Sequence, residues 1–277
     1  MKICNIHAVY FSPTGKTKEV VKTIAREIAR VSDIQYYEYD FTLPDNRDKP
    51  VSFSEDDLVI FGTPVYAGRV PNKILPEIQR LFTGNNALAV PIVTFGNRSY
   101  DNALIELRNV LETNGFHTIA GGAFVAEHSF TDKLAKGRPR DGDLSTIRCF
   151  ASAVSRKIEK MKTIPGPIAV RGTEPIPTYY QPLGRDGKPA VFLKAKPKVH
   201  DTCTLCGTCA RVCPVGSIRL PDQETDHWRV EGICIKCQAC IKQCPAHAIY
   251  FDDPAFLSHI AMLEENYSRP AENEVFL

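Results

Sequence analysis

The sequence predicts a two-part α/β chain: an open, doubly wound parallel sheet over the first half, then a small α+β unit built around cysteines. Three observations predict it. Apolar strand-length runs alternate with helical patterns before residue 162. Eight of the ten cysteines then fall in two matched runs after residue 200. Between the two lies a stretch dense in Pro and Gly that lacks sustained periodicity. These shifts divide the chain into 1–162 for the sheet domain, 163–199 for a linker, 200–252 for the cysteine unit, and 253–277 for a helix and tail. The composition, 43% apolar and 24% charged, is that of a folded soluble protein. No apolar stretch is long enough to span a bilayer.

Residues 3–10 (ICNIHAVY) form the first strand. Met1 to Tyr10 reads as a strand and not as a basic-then-apolar export signal, so a cytoplasmic location is expected. Ser12-Pro13-Thr14-Gly15-Lys16-Thr17 comes next, followed by a helix with Val20, Val21, Ile24, Ile28 and Val31 at helical spacing. Strand, small polar loop, helix is the arrangement that surrounds a phosphate with backbone N–H groups and hydroxyls. Further strands are predicted at Gln35–Tyr39, Leu58–Phe61, Ala87–Thr94 and Gly121–Ala126. Helices are predicted at Pro71–Phe82, Tyr100–Asn114 and Ser145–Met161. Lys16-Thr17 does not complete a nucleotide-hydrolysing loop. The first glycine of that motif would fall on Tyr10, and the strand ending at Phe61 leads into Gly62-Thr63-Pro64 instead of a magnesium-binding acid.

Three loops leave the carboxyl ends of strands beside the point where strand order reverses, the usual ligand site of an open α/β sheet. They are Ser12–Thr17, Gly62–Pro71 (GTPVYAGRVP) and Phe95–Asp101 (FGNRSYD). The first offers phosphate donors. The others offer small residues with Tyr66, Phe95 and Tyr100, suited to a flat aromatic ring, or alternatively to ordinary loop packing. Together they read as a site for flavin mononucleotide (FMN).

The cysteine runs are Cys203-x2-Cys206-x2-Cys209-x3-Cys213-Pro214 and Cys234-x2-Cys237-x2-Cys240-x3-Cys244-Pro245. Zinc sites use two pairs separated by a longer stretch, and disulfides need an oxidising compartment. The spacing is instead that of bacterial two-cluster ferredoxins, in which the fourth cysteine ligates the other run's cluster. It assigns Cys203, Cys206, Cys209 and Cys244 to one [4Fe-4S] cluster, and Cys234, Cys237, Cys240 and Cys213 to the other. Exposed-cluster chemistry suggests a low-oxygen cell.

At this point the chain resembles flavodoxins, and more closely the flavodoxin–ferredoxin fusion proteins of anaerobic bacteria and archaea. The resemblance rests on FSPTGKT, GTPVYAGRVP, TFGNRSYDNAL and the two cysteine runs, over about residues 1–162 and 198–252. It implies a flavodoxin-like five-stranded parallel sheet of order 2-1-3-4-5, followed by a ferredoxin-like α+β domain. It also implies that Ser12, Thr14, Gly15, Lys16 and Thr17 bind the FMN phosphate. Pro64, Val65, Tyr66, Ala67 and Gly68 would line one side of the isoalloxazine, with Phe95, Gly96, Asn97, Arg98, Tyr100 and Asp101 on the other. The backbone near Gly68 would respond to protonation of the flavin.

The chain departs from flavodoxins in charge. They are usually acidic, whereas residues 1–199 carry +7. From His200 onward six Lys/Arg stand against eleven Asp/Glu, a net −5, which favours docking of the halves or merely keeps each soluble. Lys16 strengthens anion binding, and Arg98 would favour a reduced, anionic flavin. No basic helix or aromatic platform points to nucleic acid. His128, just past the fifth predicted strand, could donate a proton or contact the cluster unit, or be an ordinary loop histidine. His117, His200, His227, His247 and His259 receive no role, and Cys4 and Cys149 are expected to be buried free thiols. Tyr179, Tyr180 and Phe192 suggest that the linker packs, against the alternative of a loose tether. Pro254–Tyr267 reads as a helix.

The expected function is electron transfer between two [4Fe-4S] clusters and FMN, with low-potential redox proteins as donor and acceptor. Two rivals remain: an FMN-dependent reductase of a small substrate such as a quinone, disulfide or nitro compound, and a dedicated activator of one metallo- or radical enzyme. A substrate cavity over the flavin face would distinguish the reductase.

Overall fold

The computed structural model describes residues 2–222 and 228–277; His227 lies outside the described residues. Strands β1 (Asn5–Tyr10), β2 (Gln35–Asp40), β3 (Asp57–Pro64), β4 (Leu88–Phe95) and β5 (Gly121–Val125) pair in parallel, in the order β2-β1-β3-β4-β5. The predicted sheet order holds. Strands β3 and β4 are buried almost throughout, which is why they read as continuous apolar runs and not as alternation.

Helices cover both faces. Ile6, Ala8 and Tyr10 point to the side where α1 (Lys16–Ser32) and α4 (Asp141–Lys160) pack through Val20, Ile24, Phe150 and Val154. Val9 and Phe61 point to the opposite side, against α2 (Leu75–Leu81) and α3 (Ala103–Thr113). Each such buried side chain contributes about 1.5–3 kcal/mol of transfer free energy. A Cβ on Gly62 would lie 2.2 Å from Val21 Cγ2, so α1 sits directly on β3 and carries its N-terminal loop over the strand ends. Helix α4 begins before the predicted Ser145 because the Asp143 carboxylate accepts the Arg140 N–H at 2.9 Å and caps it. Cys4 and Cys149 are exposed, contrary to expectation. Cys4 precedes β1, and Cys149 falls on the outer side of α4, beside the buried Phe150.

The cysteine unit contains α5 (Thr208–Arg211) and α6 (Ala239–Lys242) with two antiparallel strand pairs, Lys198–Val199 with Ile249–Tyr250 and Ile218–Arg219 with Arg229–Val230. The sequence repeat is also a backbone repeat. Left-handed residues recur in matched pairs, Leu205 with Lys236, Gly207 with Gln238, and Gly216 with His247. These turns wrap each run around a centre.

The linker packs against the sheet domain. Ile168 N–H donates to Thr118 C=O at 3.1 Å, Tyr179 hydroxyl to Val70 C=O at 2.9 Å, and Tyr180 N–H to Ala67 C=O at 2.9 Å. Helix α7 (Pro254–Asn266) is capped by Asp253, whose carboxylate accepts Phe256 N–H at 2.9 Å. The tail then returns to the sheet, where Glu274–Phe276 pairs antiparallel with β5. The opposite charges of the two halves meet at this end: Lys133–Glu264 at 2.7 Å and Arg171–Glu274 at 2.6 Å. At the cysteine loops the polarity reverses, with Lys242 on Glu127 at 2.6 Å. No helix among the described residues is long and apolar enough to cross a membrane.

Candidate functional site

The loop after β1 is held by its own side chains. Ser12 Oγ accepts Lys18 N–H at 2.9 Å, Ser12 N–H donates to Thr42 Oγ1 at 2.8 Å, and Gly15, at φ +84°, turns the chain into α1. Thr17 and Thr94 share a buried hydroxyl–hydroxyl hydrogen bond of 2.7 Å that ties the loop to β4. Among the described residues no acceptor takes the N–H of Thr14, Lys16 or Thr17. These orphan donors at a helix N-terminus are the chemistry a phosphate needs.

The loop after β3 makes a tight two-residue turn. Tyr66 and Arg69 exchange backbone hydrogen bonds of 2.9 and 3.1 Å, with Ala67 and Gly68 at φ +47° and +76°. A Cβ on Gly68 would come within 2.2 Å of Asp101 Oδ2, so the turn lies tight on the loop after β4. Arg69 anchors it from behind: its Nε donates to the buried Glu106 at 2.8 Å, and Glu106 also accepts Val70 N–H at 2.9 Å. The Ala67 and Gly68 carbonyls already accept Tyr180 N–H and Asn102 N–H, so a peptide flip here must break one of these bonds.

Two adjoining cavities open between these loops. The smaller is walled by Thr14, Lys16, Thr17, Pro64 and Cys237. The larger, about 530 Å³, takes in Ala67, Gly68 and Arg98 and reaches Cys234 and His259. Val65, Tyr66, Phe95 and Gly96 face both. Eleven of the sixteen expected flavin residues thus line one cavity or the other; Ser12, Gly15, Asn97, Tyr100 and Asp101 do not. Ser12 and Gly15 shape the loop after β1 from behind. Asn97 turns away to bind the tail, donating to Tyr267 and Arg269 carbonyls and accepting Ala271 N–H at 3.0 Å. Tyr100 is buried in the core with its hydroxyl on Glu274 at 2.6 Å and Arg171 over its ring. Asp101 pairs with Arg98, whose guanidinium stacks on Tyr180 at 4.1 Å. Arg98 lines the larger cavity with its charge paired to Asp101.

Tyr66 and His128 are enclosed by protein, and the surface they expose faces the cavity. Burial, reinforced by nearby Cys237 and Cys234, holds the Tyr66 phenol well above its usual range. Burial, reinforced by His259, Lys242 and Arg98, pushes the His128 imidazole down to about 4, so it is neutral near pH 7. Its ring lies on Gly96, where a Cβ would come within 2.4 Å of Cδ2. Glu127 and Ser129 also line the phosphate-side cavity. Their position past the fifth strand was a sufficient signal for all three. His259 and Phe192 reach the larger cavity only because α7 and the linker fold back over it, which no local pattern announces.

The cysteines gather in two groups of four. Cys203, Cys206, Cys209 and Cys244 line one cavity, and Cys213, Cys234, Cys237 and Cys240 line another. Each group takes three cysteines from one run and the fourth from the other. Among the described residues, no three His, Cys, Asp or Glu side chains converge tightly enough for a single metal ion. A cubane needs its thiolates set further apart, one to each iron. Backbone N–H groups of Leu205, Ser217 and Ala248 donate to Cys203, Cys213 and Cys244 sulfurs at 3.3–3.4 Å, and Trp228 Nε1 donates to Cys209 at 3.2 Å. Such donors stabilise thiolates and tune a cluster's potential. Burial pushes the Cys240 thiol up to about 12, and Cys234 and Cys237 upward too, so bound iron must displace their protons. Cys206 by contrast is exposed, with its thiol lowered by hydrogen bonds from Thr208. One group therefore faces the sheet domain, and the other reaches the surface.

Residues 202–249 match the 4Fe-4S dicluster domain family. No curated protein matches the chain. Solved structures similar to it include a flavodoxin from the domain Archaea, at 12% identity over 56% of this chain and 99% of that one, TM-score 0.37. The flavodoxin of Streptococcus pneumoniae TIGR4 aligns at 15% identity over 56% and 99%, TM-score 0.40. An NADH:FMN oxidoreductase (EmoB) in its apo form aligns at 17% over 58% and 93%, TM-score 0.41. On its sheet order and its dicluster match, the chain joins a flavodoxin-like α/β domain to a 4Fe-4S dicluster domain.

Proposed function

We propose that this is a cytoplasmic electron-transfer iron–sulfur flavoprotein. It would relay electrons between two [4Fe-4S] clusters and FMN, and exchange them with low-potential redox proteins. One observation carries the reading: Cys237 stands in the wall of both the buried cysteine cavity and the phosphate-side cavity of the sheet domain. A cluster held there would adjoin the flavin site, and the second group, at the exposed Cys206, would meet external partners. The domain division of 1–162, 163–199, 200–252 and 253–277 belongs to the same proposal.

The residues divide the work as follows. Cys203, Cys206, Cys209 and Cys244 would hold the outer cluster, and Cys213, Cys234, Cys237 and Cys240 the inner one. Thr14, Lys16 and Thr17 would bind the phosphate, while Pro64–Gly68, Phe95, Gly96 and Arg98 enclose the ring. When bound, the clusters supply one-electron steps and FMN stores one or two electrons. The chain contributes fixed separation. Lys242 on Glu127, Gln243 Nε2 donating to Pro13 C=O at 3.3 Å, and Arg47 donating to Pro214 C=O at 2.9 Å bind the cysteine unit to the sheet domain at three places. A docked pair keeps a short tunnelling path without a diffusive search.

The cavity of about 530 Å³ favours a second reading, in which the same site reduces a small substrate. The test of the first is chemical composition. Protein purified without oxygen should carry about eight irons and one FMN per chain. Full iron without flavin would remove FMN from the proposal.

A further inference from the structure

The larger cavity has a wall that the three strand-end loops do not supply. His128 and Phe130 form it on one side, Tyr180 and Phe192 from the linker on another, and His259 and Leu263 from α7 close the end. The flavin reading accounts for Tyr66–Gly68 and Phe95–Arg98 and leaves this far wall without an occupant.

Its chemistry is narrow. His128 Nδ1 accepts Phe130 N–H at 3.1 Å, which leaves the proton of the neutral ring on Nε2; no acceptor among the described residues takes it. His259 Nδ1 lies 2.8 Å from Leu183 C=O, and a carbonyl only accepts, so His259 Nε2 is an acceptor. The inner cations are already engaged. Arg98 pairs with Asp101, and Lys236 donates to the carbonyls of Leu193 and of Cys234, the latter at 3.1 Å. Lys73 lines the cavity from an exposed position. Val191, Leu193 and Ile233 line the cavity and yet are 73, 85 and 52% exposed, which makes its mouth apolar. An apolar mouth and aromatic walls, with the Arg98 and Lys236 cations already engaged, select a neutral, flat molecule. The Nε2–H of His128, which no acceptor among the described residues takes, favours one with an accepting oxygen.

We propose that this cavity is a substrate site for a neutral aromatic carbonyl compound of the quinone type, with a ring oxygen taking the Nε2–H of His128. The inference names the substrate class for the second, small-substrate reading of this site and rests on it. The overall change is quinone plus two electrons plus two protons to hydroquinone. The electrons would come from a low-potential protein donor, with the two cysteine groups holding the clusters that relay them; the protons would come from water, and no ring bond breaks. The His128 donor lies where negative charge collects on oxygen, and His259 Nε2 can accept from the product hydroxyl.

The test is calorimetric binding of duroquinone to oxidised holoprotein without reductant, with iron and flavin counted in the same preparation. Its methylated ring cannot add to the exposed Cys4 and Cys149 thiols. Saturable one-to-one binding is expected. His128→Leu should weaken it roughly 3- to 10-fold, the effect of one hydrogen bond. His128→Gln, which keeps an N–H donor, should stay within about twofold of wild type. Absence of saturable binding overturns the inference whatever the flavin content, as does equal weakening by both variants. A preparation that lacks flavin but binds with the His128 preference keeps this inference and removes FMN from the function proposed above.

Discussion

Asn97 is the residue through which the loop after β4 holds the end of the chain, and removing it has a calculable cost. It is 4% exposed, sits at φ +70°, and makes three hydrogen bonds to the backbone of residues 267–271. Asn97→Ala deletes all three. At about 1 kcal/mol each they amount to about 3 kcal/mol, and a left-handed alanine adds about 1 kcal/mol more. The next tail residues keep other anchors: Arg138 on Ala271 C=O at 2.6 Å and Asn273 on Val125 N–H at 2.8 Å. Loss should therefore concentrate at 267–271. In hydrogen exchange, amides there should open about 3–4 kcal/mol more readily, and urea unfolding should shift the same way. Flavin content should be retained, because the amide faces the tail and not either cavity. A change below about 0.5 kcal/mol, or flavin loss with the tail still protected, would refute the reasoning.

Three further outcomes follow from the same geometry. Because burial lowers the folded-state value of His128 from 6.5 to about 4, stability is full above about pH 6.5 and falls as pH drops toward 4. The loss is about 3 kcal/mol, and His128→Gln should flatten that limb of the urea-midpoint profile; equal slopes would contradict it. Glu106→Ala strands the Arg69 guanidinium and the Val70 N–H, and should cost about 3–5 kcal/mol in urea unfolding, whereas a cost under 1 kcal/mol would deny the pair its place in the turn. Cys213→Ala should damage the cluster held mainly by the second run while sparing the other, and iron loss mapped to the first run would contradict the crossed ligand sets.

The sheet was legible because β3 and β4 are buried on both faces and α1 has one apolar face, so period and burial agree. The cysteine groups were legible because ligation depends on spacing along the chain. The loop after β1 and the Tyr66 turn are local structures; Thr14, Lys16, Thr17 and Pro64–Gly68 line the cavities, whereas Ser12 and Gly15 do not. What the sequence hid is non-local. Asn97 and Tyr100 have the chemistry of ring-lining residues, and only the returning tail redirects them to Tyr267 and Glu274. Glu274–Phe276 is three residues long, too short for a period, and pairs only because β5 offers an edge. Arg98 pairs with Asp101, three residues on, a contact that the flavin-side reading of both residues left out.

The central claim is that one chain holds clusters and flavin in electronic contact. An anaerobic reductive titration, followed together by optical and electron paramagnetic resonance spectra, tests it most directly. The account predicts two cluster signals broadened by mutual spin interaction, with flavin and clusters reduced over a shared potential window. Clusters that titrate without spin interaction, or a flavin that stays oxidised while both clusters are reduced, would contradict it.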